Sequence, residues 1–259
     1  MKLAATIDTP TFGWLKLELP SLVVLALLWQ AAAMLVGDPV LLPTPLATLM
    51  AGYDHLVAGD LLFSLGITLL RVAVAFVLAM VIGGVIGVAL GRSPALDRLF
   101  GGWLSVALNM PALVTIVLCY VWFGLSETAA IVAVTVNKAP TIAAITRESA
   151  RAVDRPLLEM SQVFGVPRLR VLKDVILPQL APSFIASARA GLALTWKIVL
   201  VVELLGRPNG VGFQIRTFFN YFDIAGILAY SLAFIGIVLA IERFLIQPIE
   251  RRVGRWRRL

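Results

Sequence analysis

Long apolar runs separated by short polar segments dominate this sequence of 259 residues. A helix needs roughly 20 predominantly apolar residues to cross a membrane core about 30 Å thick. Six stretches come close to or exceed this length, at about residues 20–36, 61–90, 100–123, 125–147, 182–206 and 224–247. The pattern therefore predicts an all-α integral membrane protein with six transmembrane helices over residues 20–247. An N-terminal segment, 1–19, precedes this domain, and a basic tail, 248–259, follows it.

The composition excludes a water-soluble globular domain. Hydrophobic residues make up 60% of the chain, charged residues only 14%, and the mean hydropathy is +0.94; a soluble domain is about 45–50% apolar and about 25% charged. The net charge of +7 comes largely from Lys and Arg beside apolar runs, as at a membrane edge, so nucleic-acid binding is not predicted. Cys119 and His55 are the only residues of their types, so neither a disulfide nor a metal site nor thiol chemistry is expected.

The distribution of Lys and Arg predicts the orientation, because cytoplasmic loops of membrane proteins are enriched in both. Residues 37–60 and 124–127 contain neither and are expected outside. The turn 91–99 and the loop 147–181 are basic and are expected inside; their cations are Arg92, Arg98, Arg147, Arg151, Arg155, Arg168, Arg170 and Lys173. Both termini are then cytoplasmic. Arg207 and Arg216, in the predicted loop 207–223, are the exceptions.

A glycine repeat marks the second span. Gly83, Gly87 and Gly91 recur every four residues, which places a smooth strip on one face of a helix and lets another helix approach closely. The repeat predicts helix packing rather than a ligand site.

The loop 147–181, between the fourth and fifth spans, predicts a helical hairpin. Asp154 is a favourable N-cap, Pro156 suits a first helical turn, and Gly165 is typical of a helix end. A second helix is predicted from Pro167 until Pro178 and Pro182 break it before the fifth span. From the pattern alone, two interpretations stay open. The hairpin docks into a cytosolic partner, or it is an amphipathic hairpin that anchors the loop at the membrane interface.

A motif in this loop resembles a known family. Glu159-Met160-Ser161, then Gly165, then nine residues and Val175-Ile176-Leu177-Pro178 match the spacing of the EAA loop of ABC-importer permeases. The family pattern has alanines at Met160 and Ser161 and isoleucine at Val175, whereas Gly165 and Leu177-Pro178 are retained. The resemblance implies that Glu159, Met160, Ser161, Gly165, Val175, Leu177 and Pro178 contribute to ATPase coupling through a cytoplasmic coupling helix.

Further blocks, in their order along the chain, are similar to the nitrate, sulfonate and taurine branch of these permeases. They are Ser64-Leu65, Thr68-Leu69, Arg71-Val72, Gly91-Arg92-Ser93, Pro111, Trp122-Phe123-Gly124, Glu203-Leu204-Leu205-Gly206 and Gly210-Val211-Gly212. The resemblance implies a type I permease of the bacterial inner membrane. Its implied partners are a second permease subunit, in this branch typically the same chain, two cytosolic ATPases, and a periplasmic or lipid-anchored binding protein. The sequence has no phosphate-binding loop, so no cofactor is expected in this chain, and ATP-Mg is expected on the partner ATPase.

Ionisable residues inside predicted spans are expected to face protein or water, because each costs at least about 2.5–3.5 kcal/mol in the membrane core. Lys138 and Lys197 lie near mid-depth, and two cations beside a pathway would favour an anionic solute. The resemblance implies a small anion such as nitrate, a sulfonate or taurine. The alternative is structural: a lysine pairs with Glu203, or both lysines extend towards the interface. The candidate pathway residues, each of which could instead be an ordinary packing residue, are Asn109, Tyr120, Asn137, Lys138, Trp196, Lys197 and Glu203.

Two other classes of function compete with an ATP-driven importer. A secondary transporter working without an ATPase usually shows internal repeats and broken helices, and the sequence shows neither a repeat nor a convincing break. An intramembrane enzyme needs a nucleophile, base or metal ligands that converge, and His55 lies in a predicted outer loop. A non-catalytic transporter subunit is the preferred interpretation.

Overall fold

The computed structural model describes residues 15–248, which are predominantly helical and contain no strand. Most of the N-terminal segment 1–19 and of the basic tail 248–259 lies outside this range. The α-helices are α1 (Leu15–Val36), α2 (Pro45–Ala58), α3 (Asp60–Arg92), α4 (Pro94–Asn109), α5 (Ala112–Phe123), α6 (Glu127–Arg151), α7 (Arg155–Val163), α8 (Arg168–Val171), α9 (Leu177–Gly206), α10 (Val211–Asn220) and α11 (Ile224–Ile241). Two π-helical segments, Leu172–Ile176 and Glu242–Ile246, precede α9 and follow α11.

Within the described residues, four helices are long and apolar enough to cross a membrane. They are α3, α6, the continuous helix Leu169–Gly206 that contains α9, and Ile224–Ile246. A fifth span is present if α4 and α5 are counted together, although they meet at an angle of 97°. The apolar part of α1, Pro20–Val36, is shorter than these helices. The helical membrane fold is confirmed, whereas the count of six spans stays a prediction.

The bend between α4 and α5 corrects the expectation of a continuous third span with no break. α4 ends at Asn109, Met110 is extended (ψ 123°), and Pro111 precedes the first residue of α5. A residue before proline is disfavoured in the helical conformation, and proline itself lacks the N–H that would continue the helix. Pro111 within the run 100–123 indicates this break, which the hydropathy pattern alone does not show.

Two predicted loops contain helices. The segment 37–60 includes α2, whose N-cap Thr44 accepts a hydrogen bond from the Ala47 N–H. The segment 207–223 includes α10. Both helices are too short to span a membrane, so a search for runs of about 20 apolar residues does not detect them.

The expected break before the fifth span is also wrong. The helix from Leu169 to Gly206 continues past Pro178 and Pro182. Pro178 lies in the first turn of α9, immediately after the π-helical segment, where proline is tolerated, and Pro182 lies inside α9 without ending it. The second helix of the hairpin and the fifth span are therefore one continuous helix.

The glycine strip of α3 packs directly on α6, as predicted. A Cβ atom built on Gly83 would lie 2.8 Å from Ile142 Cβ, one on Gly87 2.5 Å from Thr146 Cβ, and one on Gly91 2.6 Å from Ala150 Cβ. Such separations are far below ordinary van der Waals contact, so the two backbones are as close as glycine permits.

Replacing Gly87 with alanine is expected to destabilise the protein by about 1–3 kcal/mol, because the methyl group overlaps Thr146 and the backbone of α6. Thermal unfolding in detergent micelles measures this effect. Gly66→Ala is the matched control, since Gly66 is on the same helix with nothing within 4 Å of an added Cβ. Equal unfolding temperatures for the two variants would contradict the close packing at Gly87.

Candidate functional site

The turn between α7 and α8 has a defined geometry at Gly165. Gly165 has φ +62°, the Val166 N–H donates to Ser161 O (2.9 Å), and the Gly165 N–H donates to Gln162 O (3.0 Å). This pattern is a Schellman motif, in which a left-handed residue ends the helix and satisfies its last carbonyls. A Cβ on Gly165 would meet no atom within 4 Å, so glycine is needed here for its backbone conformation rather than for space.

The α7–α8 hairpin is fixed to the ends of two long helices. Leu158 of α7, Ile176 and Leu180 are buried together with Ala150 of α6 and Val153. The Asp154 N–H also donates to Gln179 Oε1 (3.0 Å) on α9. Because the hairpin has a buried core in common with α6 and α9, a force applied to it is transmitted to both helices.

Large apolar side chains at the free end of the hairpin are exposed. Val163 is 84% exposed, Phe164 76% and Leu169 78%, and Met160 is exposed as well; we call these four residues the hairpin tip. A solvated turn is normally polar, and a contiguous apolar patch marks an interaction surface. Sequence reasoning did not select Val163, Phe164 or Leu169, although their apolar character on either side of Gly165 was a usable signal.

The structure separates the predicted coupling residues into two groups. Glu159, Met160, Gly165, Leu177 and Pro178 are at the exposed surface. By contrast, Ser161 is buried and donates to Leu158 O (2.6 Å), and Val175 is half-buried against the hairpin core.

A buried ion pair connects α3 and α9 at the opposite end of the bundle, which we call the α10 end. Glu203 is 0% exposed, and one of its carboxylate oxygens is 2.7 Å from Arg71 Nη1. The carboxylate also accepts hydrogen bonds from the Thr68 hydroxyl (2.9 Å) and the Gly212 N–H (2.9 Å). The expectation that Glu203 pairs with Lys138 or Lys197 is therefore wrong, and Glu203 is enclosed within the chain.

The same arginine connects this pair to α6 and to the segment before α10. Arg71 donates to both carboxylate oxygens of Glu127, the first residue of α6, and to the backbone and side-chain oxygens of Asn209. Arg207 also donates to Glu127 Oε2 (2.8 Å). Two arginines and two glutamates thus neutralise one another, and the sequence pattern signalled none of these pairings.

The two candidate lysines occupy different environments. The Lys138 side chain of α6 is only 8% exposed, and within residues 15–248 it has neither a hydrogen bond nor an ion pair. Lys197 of α9 is exposed. Burial of a cation without a counter-ion is costly, and of the two lysines only Lys138 has a largely buried side chain.

The remaining candidates have ordinary packing contacts in this chain. The Tyr120 hydroxyl donates to Val202 O (2.8 Å), and Trp196 packs edge-on against Phe234, with ring centroids 6.0 Å apart. Asn109, at the bend between α4 and α5, is exposed and donates to Ser105 O (2.8 Å). Asn137 is half-buried.

Comparison with known families gives a direct match. Residues 44–253 match the model of the family described as binding-protein-dependent transport system inner membrane component. The chain belongs to this family. It is a permease component of an ABC importer and is not itself an enzyme, since hydrolysis of ATP belongs to a partner ATPase.

Relatives and solved structures agree with this assignment. The chain is 27% identical to a putative aliphatic sulfonates transport permease protein of Bacillus subtilis, over 95% of this chain and 89% of the relative. It is 26% identical to the taurine transport system permease protein of Escherichia coli, over 90% and 86%. An inward-facing structure of the MetNI methionine ABC transporter has a TM-score of 0.66 at 22% identity, over 76% of this chain and 97% of the matched chain; this likeness concerns the fold alone.

Proposed function

We propose that this chain forms the membrane pathway of an importer for a small anion, such as nitrate, a sulfonate or taurine, and that the hairpin tip docks a cytosolic ABC ATPase. The hairpin tip is the observation that carries this proposal. It exposes Met160, Val163, Phe164 and Leu169 on a rigid turn, and the hairpin core joins that turn to α6 and α9.

The proposed assembly contains two copies of this chain, two ATPases with ATP-Mg, and a periplasmic or lipid-anchored binding protein. The hairpin end faces the cytoplasm together with both termini, as the Lys and Arg distribution indicates. Closure of the ATPases on ATP brings the two hairpins together. α9 moves with its hairpin because the second helix of the hairpin continues into α9. The pathway then opens towards the binding protein, and hydrolysis of ATP resets it.

Two observations support an anionic solute. The names of the two relatives described above refer to aliphatic sulfonates and taurine, both of which carry a sulfonate group. Lys138 is a buried cation without a protein counter-ion among the described residues, so a passing anion would gain a favourable interaction with it. Lys197 is exposed on the single chain and has no comparable need for a counter-ion.

Purification of the tagged chain from its native membrane tests the assembly. We expect an ATPase to co-purify at equal stoichiometry, and its hydrolysis of ATP to rise when the binding protein and solute are added. A chain that purifies without an ATPase and transports solute down an ion gradient would show that it works as a secondary transporter instead.

Replacing Lys138 with methionine is expected to reduce uptake of the anionic solute by about ten-fold or more, because about 1.4 kcal/mol of lost interaction corresponds to a factor of ten. Uptake into proteoliposomes containing the full complex measures the effect. Lys138→Arg, which keeps the positive charge, is the matched control and is expected to retain most of the uptake; Lys197→Met tests the second candidate lysine in the same assay. Normal assembly with unchanged anion uptake in Lys138→Met would contradict the role of this charge.

A further inference from the structure

A single helix leads from the hairpin tip to the opposite end of the bundle. Leu169–Gly206 contains 38 residues, which corresponds to about 57 Å at 1.5 Å per residue. Glu203 lies three residues before its end. Its carboxylate is therefore fixed to the far end of the same helix that begins in the hairpin.

The Glu203 carboxylate holds the N-terminus of α10. The Gly212 N–H donates to it, and the Val211 N–H donates to the Thr68 hydroxyl, which itself donates to the carboxylate (all 2.9 Å). The first N–H groups of a helix have no partner within the helix, and the helix dipole favours a negative charge beside them. One side chain of α9 therefore supplies the charge that α10 needs at this position.

The backbones are also in direct contact at this joint. A Cβ built on Gly212 would lie 2.7 Å from Glu203 Cβ, so α10 cannot slide along α9 without displacing the carboxylate. Arg71 and Thr68 connect the same carboxylate to α3. At its other end, α10 leads to the exposed side chains of Phe219, Tyr221 and Phe222.

We propose that Glu203 is a positioning residue of the transport cycle, which couples α10 to α9 so that movement starting at the hairpin tip reaches the exposed aromatic rim beyond α10. This inference rests on the proposed function, because the movement of α9 is assumed to originate in the docked ATPase. It assigns a role to α10 and to Glu203 near the end of α9.

The first test compares Glu203→Gln with Thr195→Val in the complete complex in proteoliposomes. Thr195 is also buried in α9, but its hydroxyl donates only within the helix, to Gly191 O. We expect the amount of solute imported per ATP hydrolysed to fall by about ten-fold in Glu203→Gln, because a charge-assisted bond between helices is weakened, and to be unchanged in Thr195→Val. A purely structural role for Glu203 would lower the yield of complex without changing this ratio, and that result would overturn the proposal.

The second test measures the joint itself. Spin labels are placed at Leu205 of α9 and Phe219 of α10, both exposed, after replacement of Cys119, the only cysteine. We expect one distance that is the same in the nucleotide-free and ATP-bound complexes, and a broad distribution in Glu203→Gln. In the protein that keeps Glu203, a distance that changes between the two states would show that α10 does not follow α9. If no ATPase associates, the proposed function fails, whereas the distance in the permease alone still tests the joint.

Discussion

Replacement of Arg71 with leucine is expected to lower the free energy of unfolding by about 3–5 kcal/mol, because it leaves the fully buried carboxylate of Glu203 without its counter-charge. The same substitution removes the hydrogen bonds from Arg71 to Glu127 and Asn209, which connect α3 to the first residue of α6 and to the segment before α10. Thermal or denaturant unfolding in detergent micelles measures the loss.

Two further variants separate the ion pair from a general effect of removing an arginine. The double variant Arg71→Leu/Glu203→Gln is expected to recover part of the stability, since no uncompensated charge then stays buried. Arg216→Leu is the control, because Arg216 donates only to Leu204 O and lies over the Phe213 ring, without a carboxylate partner among the described residues. If Arg71→Leu were no more destabilising than Arg216→Leu, the ion pair would not be holding these helices together.

Features of the fold that depend on local sequence were predictable. The long spans follow from continuous apolar runs, and the hairpin follows from Asp154, Pro156 and Gly165, whose conformational preferences act within a few residues. The glycine strip of α3 was also interpreted correctly, because a four-residue repeat lies on one face of a helix whatever its partner. In each case the physical cause lies inside the element itself.

The errors concern features whose cause lies elsewhere in the chain. Glu203 and Arg71 are 132 positions apart, and no local pattern indicates which of several intramembrane cations a glutamate meets. Pro111 separates α4 from α5, whereas Pro140 and Pro182 lie inside continuous helices, so a proline in the sequence does not by itself indicate a break. Hydropathy gives the same value to a residue facing lipid and to one facing a partner, which is why Val163, Phe164 and Leu169 of the hairpin tip were not selected beside Met160.

The helix Leu169–Gly206 has the hairpin tip at its start and the Glu203 joint near its end. The two regions differ in exposure and in polarity. The tip exposes apolar side chains that a partner can cover, whereas the joint is buried and its charges are neutralised within the chain. A surface that docks a separate subunit differs in this way from a joint between helices of one chain.

Replacing Phe164 with serine is expected to weaken docking of the ATPase by about 2 kcal/mol or more, the effect typical of removing a central aromatic residue from an interface, and thus by about 30-fold. Phe164 is 76% exposed in the single chain, so the substitution should not affect the fold. Binding of the purified ATPase to the permease in nanodiscs measures the affinity, and uptake in proteoliposomes should fall in parallel. Leu125→Ser, at an exposed apolar position in the turn before α6, is the control. If Phe164→Ser bound the ATPase with unchanged affinity, the proposed docking surface would be wrong, and the interpretation of the hairpin as an anchor at the membrane interface would be favoured.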